Sequence, residues 1–285
     1  MQILTTIQDM RQACRLARHA AGDSATLGLV PTMGAIHQGH LSLVEAARRD
    51  CDVVAASIFV NPLQFGPKED FARYPRAFDD DCEKLATGVD LLFAPSVQEM
   101  YPPGATTFVE VNGLSERLDG ASRPGHFRGV ATVVNKLFNI VAPDHAYFGQ
   151  KDAAQVAVLQ AMVRDLNLPV RIVVCPIVRE PDGLAMSSRN VYLSPERRTT
   201  ALALSRSLRV VQAEINHGEA NSATLRAAVV DALESEPGLK IDYVEVVSPD
   251  TLEPVASIAP RALVAVAAWV GETRLIDNLI VTPGS

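Results

Sequence analysis

The chain has 285 residues, of which 48% are hydrophobic and 21% charged, enough apolar material for one large α/β domain or for a larger domain with a smaller companion, the arrangement expected here. A formal net charge of −7 leaves little of the clustered Lys and Arg that a phosphate backbone requires, so no nucleic-acid partner is expected. The start, MQILTTIQDMRQ, has no basic region followed by an apolar run, and no uncharged apolar stretch reaches membrane-span length; neither a signal peptide nor a membrane partner is expected.

In chain order, the apolar runs LGLVPT (27–32), VVAASIFV (53–60), VDLLFAP (89–95), HAYFG (145–149) and VRIVVCP (170–176) alternate with segments of helical period. This is the pattern of βαβ units carrying a doubly covered parallel sheet. The helical segments are HLSLVEAARRD, FRGVATVVNKLFNIV and DAAQVAVLQAMVRDLN; in the second, Phe127, Val130, Val134, Leu137 and Val141 recur at helical spacing and read as core. After about Val178 come a loop, REPDGLAMSSRN, two helical stretches (195–217 and 222–236) and the strand-like runs IDYVEVV, ALVAVAAWV and RLIDNLIV. The expected organisation is a nucleotide-binding domain over 1–176 and a smaller α+β domain over 177–285. Cys14, Cys51, Cys82 and Cys175 are far apart and form no CxxC pair, which fits buried, reduced thiols and a cytoplasmic setting.

Three segments suit phosphate. PTMGAIHQGH (31–40) follows a strand and leads into a helix, where unpaired backbone N–H groups and the positive dipole end stabilise an anion and two imidazoles add donors. Capping or surface roles for His37 and His40 are open alternatives, as is a zinc site completed by distant His126 or His145. GQKD (149–152) puts Lys151 at a second strand-to-helix junction, where a lysine taken alone is usually solvated, and MSSRN (186–190) brings two hydroxyls and a guanidinium together in a Gly-containing loop able to hydrogen-bond phosphate oxygens. Taken alone that loop reads as a polar interdomain linker, and it is the combination of the three segments that favours phosphate. No GxxxxGK[ST] and no GxGxxG is present, which counts against a P-loop NTPase and a nicotinamide dehydrogenase. For a second substrate the candidates are polar residues of the loops leaving the strands: Asn61, Gln64, Arg123 and His126. Asp79, Asp80 and Asp81 suit a helix start, where they satisfy the dipole, with assistance to Mg²⁺ as the competing role.

Read in order, PTMGAIHQGH, FVNPLQFGPKEDFARYPR, SRPGHFRGVATVVNKLFN, FGQKDAAQ and DGLAMSSRNVYL closely resemble the signature segments of the pantothenate synthetase family, the pantoate–β-alanine ligases. The resemblance spans about Gly28 to Leu193 and continues weakly through AAWVGETRLIDN. It implies a Rossmann-like parallel sheet of the nucleotidylyltransferase superfamily, related to class I aminoacyl-tRNA synthetases, with a C-terminal α+β lid; HxGH and MSSRN take the parts of HIGH and KMSKS. It also implies ATP held by Met33, Gly34, Ala35, Ile36, His37, Gln38, Gly39, His40, Gly149, Gln150, Lys151, Asp152, Val178, Met186, Ser187, Ser188 and Arg189. Pantoate then contacts Gln64 and Gln155, and β-alanine also approaches Gln64. The implied reaction joins pantoate to β-alanine through a pantoyl adenylate, with Mg²⁺ accompanying ATP through ligands the sequence does not assign. His40 is the general-acid-type donor to phosphate, supported by His37, Lys151, Ser187, Ser188 and Arg189. A homodimer is implied as well. Two positions depart from the family pattern: Gln150, where GEKD is common, and Asp119, where Glu is frequent. The competing readings are another HxGH-type adenylyltransferase, whose acceptor is a phosphate ester, and a regulatory module that binds ATP without turnover.

Overall fold

The computed structural model describes residues 1–22, 24–67 and 69–283. Its elements in chain order are β1 (Gln2–Leu4), α1 (Ile7–Ala21), β2 (Leu27–Thr32), α2 (Gln38–Asp50), β3 (Val53–Ile58), α3 (Phe78–Leu85), β4 (Leu91–Phe93), α4 (Val97–Met100), α5 (Asp119–Ser122), α6 (His126–Val141), β5 (His145–Gly149), α7 (Ala153–Asp165), β6 (Arg171–Cys175), α8 (Pro195–Asn216), α9 (Ser222–Glu234), β7 (Leu239–Val247), β8 (Ala262–Val270) and β9 (Thr273–Val281). The chain forms two compact units, one of residues 1–115, 123–149 and 158–176, the other of 116–122, 150–157 and 177 onward. The expected single cut after residue 176 is thus corrected: 116–122 and 150–157 pack with the C-terminal unit, through tertiary contacts that no shift in composition announces.

The first unit carries a parallel six-stranded sheet of order β1-β4-β3-β2-β5-β6. All five sequence-predicted strands are present, and the run expected to Val60 ends at Ile58. Their apolar character follows from cover on both faces; Leu29, Val30, Val54, Ala55, Ala56, Leu92 and Phe93 are all fully buried. Carboxylates clamp the starting ends of the strands. Asp52 Oδ2 accepts from the Thr26 N–H and hydroxyl at 2.8 and 2.9 Å, Asp144 Oδ2 from the Leu27 N–H at 2.7 Å, and Asp90 Oδ2 from the Val54 N–H at 2.8 Å. Each links the start of one strand to the segment before its neighbour and so helps to fix register.

The strand order reverses direction between β2 and β5, which pair through Gly28 with His145 and Leu29 with Ala146. Connections from these two strands leave to opposite sides, opening a crevice beyond their C-terminal ends, the general location of ligand sites in open α/β sheets. Those ends are Thr32, followed by Met33–His40, and Gly149. Neither β1 nor α1 was among the expected elements. A three-residue strand carries no measurable period; α1, by contrast, has a clear apolar stripe through Ile7, Met10, Ala13, Cys14 and Ala17 that the sequence reading did not take up.

In the second unit β7, β8 and β9 form an antiparallel sheet. Along β8, Ala262, Val264, Val266, Ala268 and Val270 join the core made with Leu204, Leu208 and Val211 of α8 and Leu225 and Val229 of α9. Leu263, Ala265 and Ala267, on the alternate face, are also buried. Arg274, Asp277 and Asn278 interrupt the apolar run of β9. Asp277 (2% exposed) takes Arg179 in a two-pronged ion pair at 2.7 and 3.0 Å, and Arg274 bridges Asp119 and Asp242 at 2.7 and 2.8 Å. The departure at Asp119 is therefore a carboxylate engaged within this unit. Removing one partner of a buried ion pair strands the other charge; Asp277→Ala is expected to lower the unfolding free energy by about 3 kcal/mol, read as a shift in the urea midpoint with an unchanged slope.

Candidate functional site

The functional groups fall into two sets, one in each unit. In the first, Pro31 and Thr32 end β2 and the chain turns through Met33–Ile36 into α2. The turn requires left-handed backbone at two successive residues, Gly34 (φ +83) and Ala35 (φ +52). Hydrogen bonds hold it there: Gly34 N–H donates to Thr32 Oγ1 at 3.1 Å, while that hydroxyl donates to Ser57 O at 2.6 Å. The Ala35 and Ile36 N–H groups donate to the two oxygens of Asp81 at 2.8 and 2.6 Å. Asp81 is 1% exposed. It lies in the first turn of α3, where the sequence suggested a dipole role with assistance to Mg²⁺ as the alternative; its larger task is to pin this loop. A Cβ on Gly34 would come within 2.9 Å of Asp81 Oδ2, so the carboxylate also needs a glycine there.

His37 is the N-cap of α2, its Nδ1 accepting from Gly39 N–H at 3.1 Å, while His40 Nδ1 accepts from His37 N–H at 3.4 Å. The rings stack at 4.1 Å. The capping alternative and the phosphate alternative are thus compatible: a ring whose Nδ1 accepts from the backbone carries its proton, when neutral, on Nε2, so both imidazoles are Nε2–H donors. Among the described residues no group of three or more His, Cys, Asp or Glu is placed to hold a metal ion. His145 sits instead beside Cys51 Sγ at 3.7 Å.

Asn61, Gln64, Arg123 and His126 come together at a 3₁₀ turn (Pro62–Gln64) packed on α6. The close approach depends on Gly129, where a Cβ would meet Leu63 O at 2.3 Å and Gln64 N at 2.6 Å. Three of these residues need their expected roles corrected. Asn61 (1% exposed) donates from Nδ2 to Gln64 Oε1 and Gly129 O, each at 3.0 Å, and accepts at Oδ1 from Leu63 N–H (3.3 Å) and Tyr101 OH (2.8 Å); its amide is filled by protein. Arg123 forms a fork with Glu69, both bonds 2.7 Å. Its Nη1 lies 3.0 Å from His126 Nε2, and because a guanidinium only donates, that nitrogen accepts and His126 Nδ1–H donates to Gln64 O at 2.8 Å. Arg123 and His126 therefore brace the turn rather than offering themselves to an anion. Gln64 is different: its Nε2 lies 3.0 Å from Met33 Sδ, a weak acceptor that a ligand oxygen readily replaces.

In the second unit, Gln150, Lys151 and Asp152 form a 3₁₀ turn leading into α7, with half-buried Gln155 in the helix. Asn278, buried in β9, holds this turn: its Nδ2 donates to Gln150 O (3.0 Å) and Lys151 O (2.9 Å), and its Oδ1 accepts from Gln150 Nε2 (3.0 Å). At this departure from the family pattern, an amide-to-amide pair occupies the side chain. Lys151 Nζ lies 3.5 Å from Asp152 Oδ1, a loose contact. Sequence reading missed Asn278, although two adjacent polar residues inside RLIDNLIV were a signal of buried polar work.

Val178 and Met186–Arg189 are likewise joined. Met186 N–H donates to Val178 O at 3.0 Å, closing a narrow turn around Gly183, and Asn190 Nδ2 ties it to Glu180 (2.6 Å) and Ala185 O (3.1 Å). Ser187 Oγ caps the following turn by accepting from Arg189 N–H at 3.2 Å. Met186, Ser187, Ser188 and Arg189 are half-buried, as are Gly149 and Val178, whereas Gln38 is exposed. The groups gathered in each unit are overwhelmingly donors and cations, the complement of a polyanion.

A sequence profile of the family described as Pantoate-beta-alanine ligase matches residues 2–280. The chain is 57% identical to pantothenate synthetase of Koribacter versatilis over 98% of this chain and 96% of that protein, and 57% identical to that of Thermotoga neapolitana over 98% and 99%. Among solved structures it is similar to pantothenate synthetase from Thermus thermophilus, with a TM-score of 0.91, 49% identity and coverage of 98% and 99%. It is also similar to pantoate-beta-alanine ligase from Francisella tularensis complexed with beta-gamma ATP and beta-alanine, with a TM-score of 0.79, 34% identity and coverage of 98% and 97%.

Two outcomes follow from the first unit. Asp81→Ala leaves two amides without acceptors and is expected to speed hydrogen exchange at Ala35 and Ile36 by about a hundredfold. The Glu69 carboxyl is raised by burial but lowered further by Arg123, for a net shift below its ordinary 4.5. A depressed acid stabilises the fold above its unfolded-state value and loses that contribution as pH falls through its folded value. Glu69→Gln is expected to be less stable than the parent at pH 7, with the difference closing below about pH 4, as measured by urea unfolding across pH.

Proposed function

This chain belongs to the pantoate-beta-alanine ligase family, and we propose how its own residues carry the ATP-dependent condensation of pantoate with β-alanine. The observation that carries the reading is the pair of stacked imidazoles at the start of α2, each with Nδ1 engaged by a backbone N–H. Fixed Nε2–H donors at a positive helix end suit the phosphates of ATP. The complex of the Francisella relative with beta-gamma ATP and beta-alanine supports both as substrates.

The pantoate carboxylate attacks the α-phosphorus, the bond to the bridging oxygen of pyrophosphate breaks, and pantoyl adenylate results. The amine of β-alanine then attacks the acyl carbon, AMP leaves and the amide forms. In the first step His40 donates to the phosphate oxygens with His37 beside it, while Lys151, Ser187, Ser188 and Arg189 stabilise charge that grows on the α-phosphate and on pyrophosphate. The turns Met33–His40 and Gly149–Asp152, with Val178 and Met186, are the nucleotide contacts of this reading. Gln64 donates to pantoate and lies near β-alanine, and Gln155 is the second pantoate contact. In this reading the first unit supplies the Met33–His40 nucleotide turn and the Gln64 pantoate contact, and the second supplies Gln150–Asp152, Gln155, Val178 and Met186–Arg189. The second acts as a lid that excludes water from the mixed anhydride.

The acidic side chains do not fit a protein-built Mg²⁺ site. Asp81 has both oxygens on backbone N–H groups, and Asp80 is paired with Lys84 at 2.6 Å. Mg²⁺ therefore belongs to this reading as the counter-ion of ATP, and no step is assigned to it. A homodimer and a cytoplasmic setting complete the proposal, supported by the family resemblance and, for the second, by the free thiols of Cys14, Cys51, Cys82 and Cys175.

The test is AMP release from Mg·ATP and pantoate, with and without β-alanine, alongside amide formation. AMP and amide appearing together only with both substrates support the ligase; pyrophosphate release without amide overturns it in favour of an adenylyltransferase. Lys151→Ala and His40→Ala are expected to keep the fold and lose about a hundredfold to a thousandfold in single-turnover adenylation. Near-normal adenylation in either folded variant refutes that residue's role.

A further inference from the structure

The amide of Gln64 has a fixed polarity. Asn61 Oδ1 receives Leu63 N–H and Tyr101 OH, and its Nδ2 faces Gly129 O. Turning the Asn61 amide over would set donor against donor at Leu63 and acceptor against acceptor at Gly129, leaving buried polar groups unpaired. Nδ2 is therefore committed as a donor, and its second proton goes to Gln64 Oε1 at 3.0 Å. That leaves Gln64 Nε2, now on Met33 Sδ, as the group offered to a ligand. Gln64 thus meets substrate as a donor, to a carboxylate or hydroxyl oxygen.

Of the two bonds holding Asn61 Oδ1, the one from Tyr101 is the shorter, 2.8 against 3.3 Å. Tyr101 caps α4, leans on Phe59 with ring centroids 6.1 Å apart, and has Lys136 Nζ 5.7 Å from its ring centre. Burial pushes its hydroxyl well above the ordinary 10, so it stays protonated as a donor. We propose that Tyr101 is a positioning residue for the ligase reaction: through Asn61 it holds the Gln64 amide with its N–H toward the acid substrate, setting pantoate affinity from outside the site. This rests on the reading that Gln64 contacts pantoate.

Tyr101→Phe removes the hydroxyl and keeps the ring on Phe59, so the fold is expected to survive, as followed by thermal unfolding. Steady-state kinetics of the full chain should then show KM for pantoate raised about five- to tenfold, the loss of one hydrogen bond, with KM for ATP within about twofold. Gln64→Ala should raise KM for pantoate at least as much, and adding Tyr101→Phe to it should raise KM no further, because the hydroxyl then has no amide to orient. An unchanged pantoate KM in Tyr101→Phe, or the same rise with and without Gln64, overturns the positioning role while leaving the Gln64 contact standing. An unchanged pantoate KM in Gln64→Ala refutes the contact itself, and the positioning role with it.

Discussion

The loop between β2 and α2 depends on one buried carboxylate. Asp81 takes the N–H groups of Ala35 and Ile36 on separate oxygens, satisfying two donors that a left-handed turn would otherwise bury unpaired. With those bonds in place the chain enters α2 at one angle, and both imidazoles are set by the capping geometry that follows. A charged acceptor suits this task because bonds to an ionised oxygen are about twice as strong as neutral ones. Gly34, whose Cβ would collide with the same carboxylate, is the complementary half of the arrangement.

The same device recurs wherever a functional side chain stands on a loop. Gln64 is oriented by Asn61 and braced by His126, Arg123 and Glu69; the Gln150–Asp152 turn is gripped by Asn278; the turn before Met186 is anchored by Arg179 on Asp277 and by Glu180 on Asn190. Groups that contact ligand need one accessible face, so their rigidity comes from polar neighbours fully satisfied beneath them. Those neighbours have most of their bonding capacity committed within the protein, as at Asn61, Arg123 and His126.

The phosphate site proposed for this chain rests on backbone geometry more than on net charge. A chain of formal charge −7 still carries a helix start with two imidazole donors in its first unit and a lysine and an arginine on turns of its second, and local field rather than total charge decides anion binding. The reversal of strand order between β2 and β5 sets where a crevice opens in the sheet.

The sequence by itself determined the parallel sheet, the sequential helices, the three-stranded C-terminal layer and the HxGH, GQKD and MSSRN segments, because apolar period and strand-to-helix junctions are local properties of the chain. It left β1 unseen for want of enough alternations to make a period, and α1 unseen although its apolar stripe is periodic. Tertiary structure alone decided who holds whom. Asp81 reaches Ala35 across 46 residues and Asn278 reaches Gln150 across 128, and no pattern along the chain encodes a hydrogen bond between such distant positions. It likewise decided that 116–122 and 150–157 pack with the C-terminal unit. Residue type announced that Arg123 or Asn61 had bonds to make; only the packed neighbours, by filling those bonds, determined which residues were left to meet a ligand.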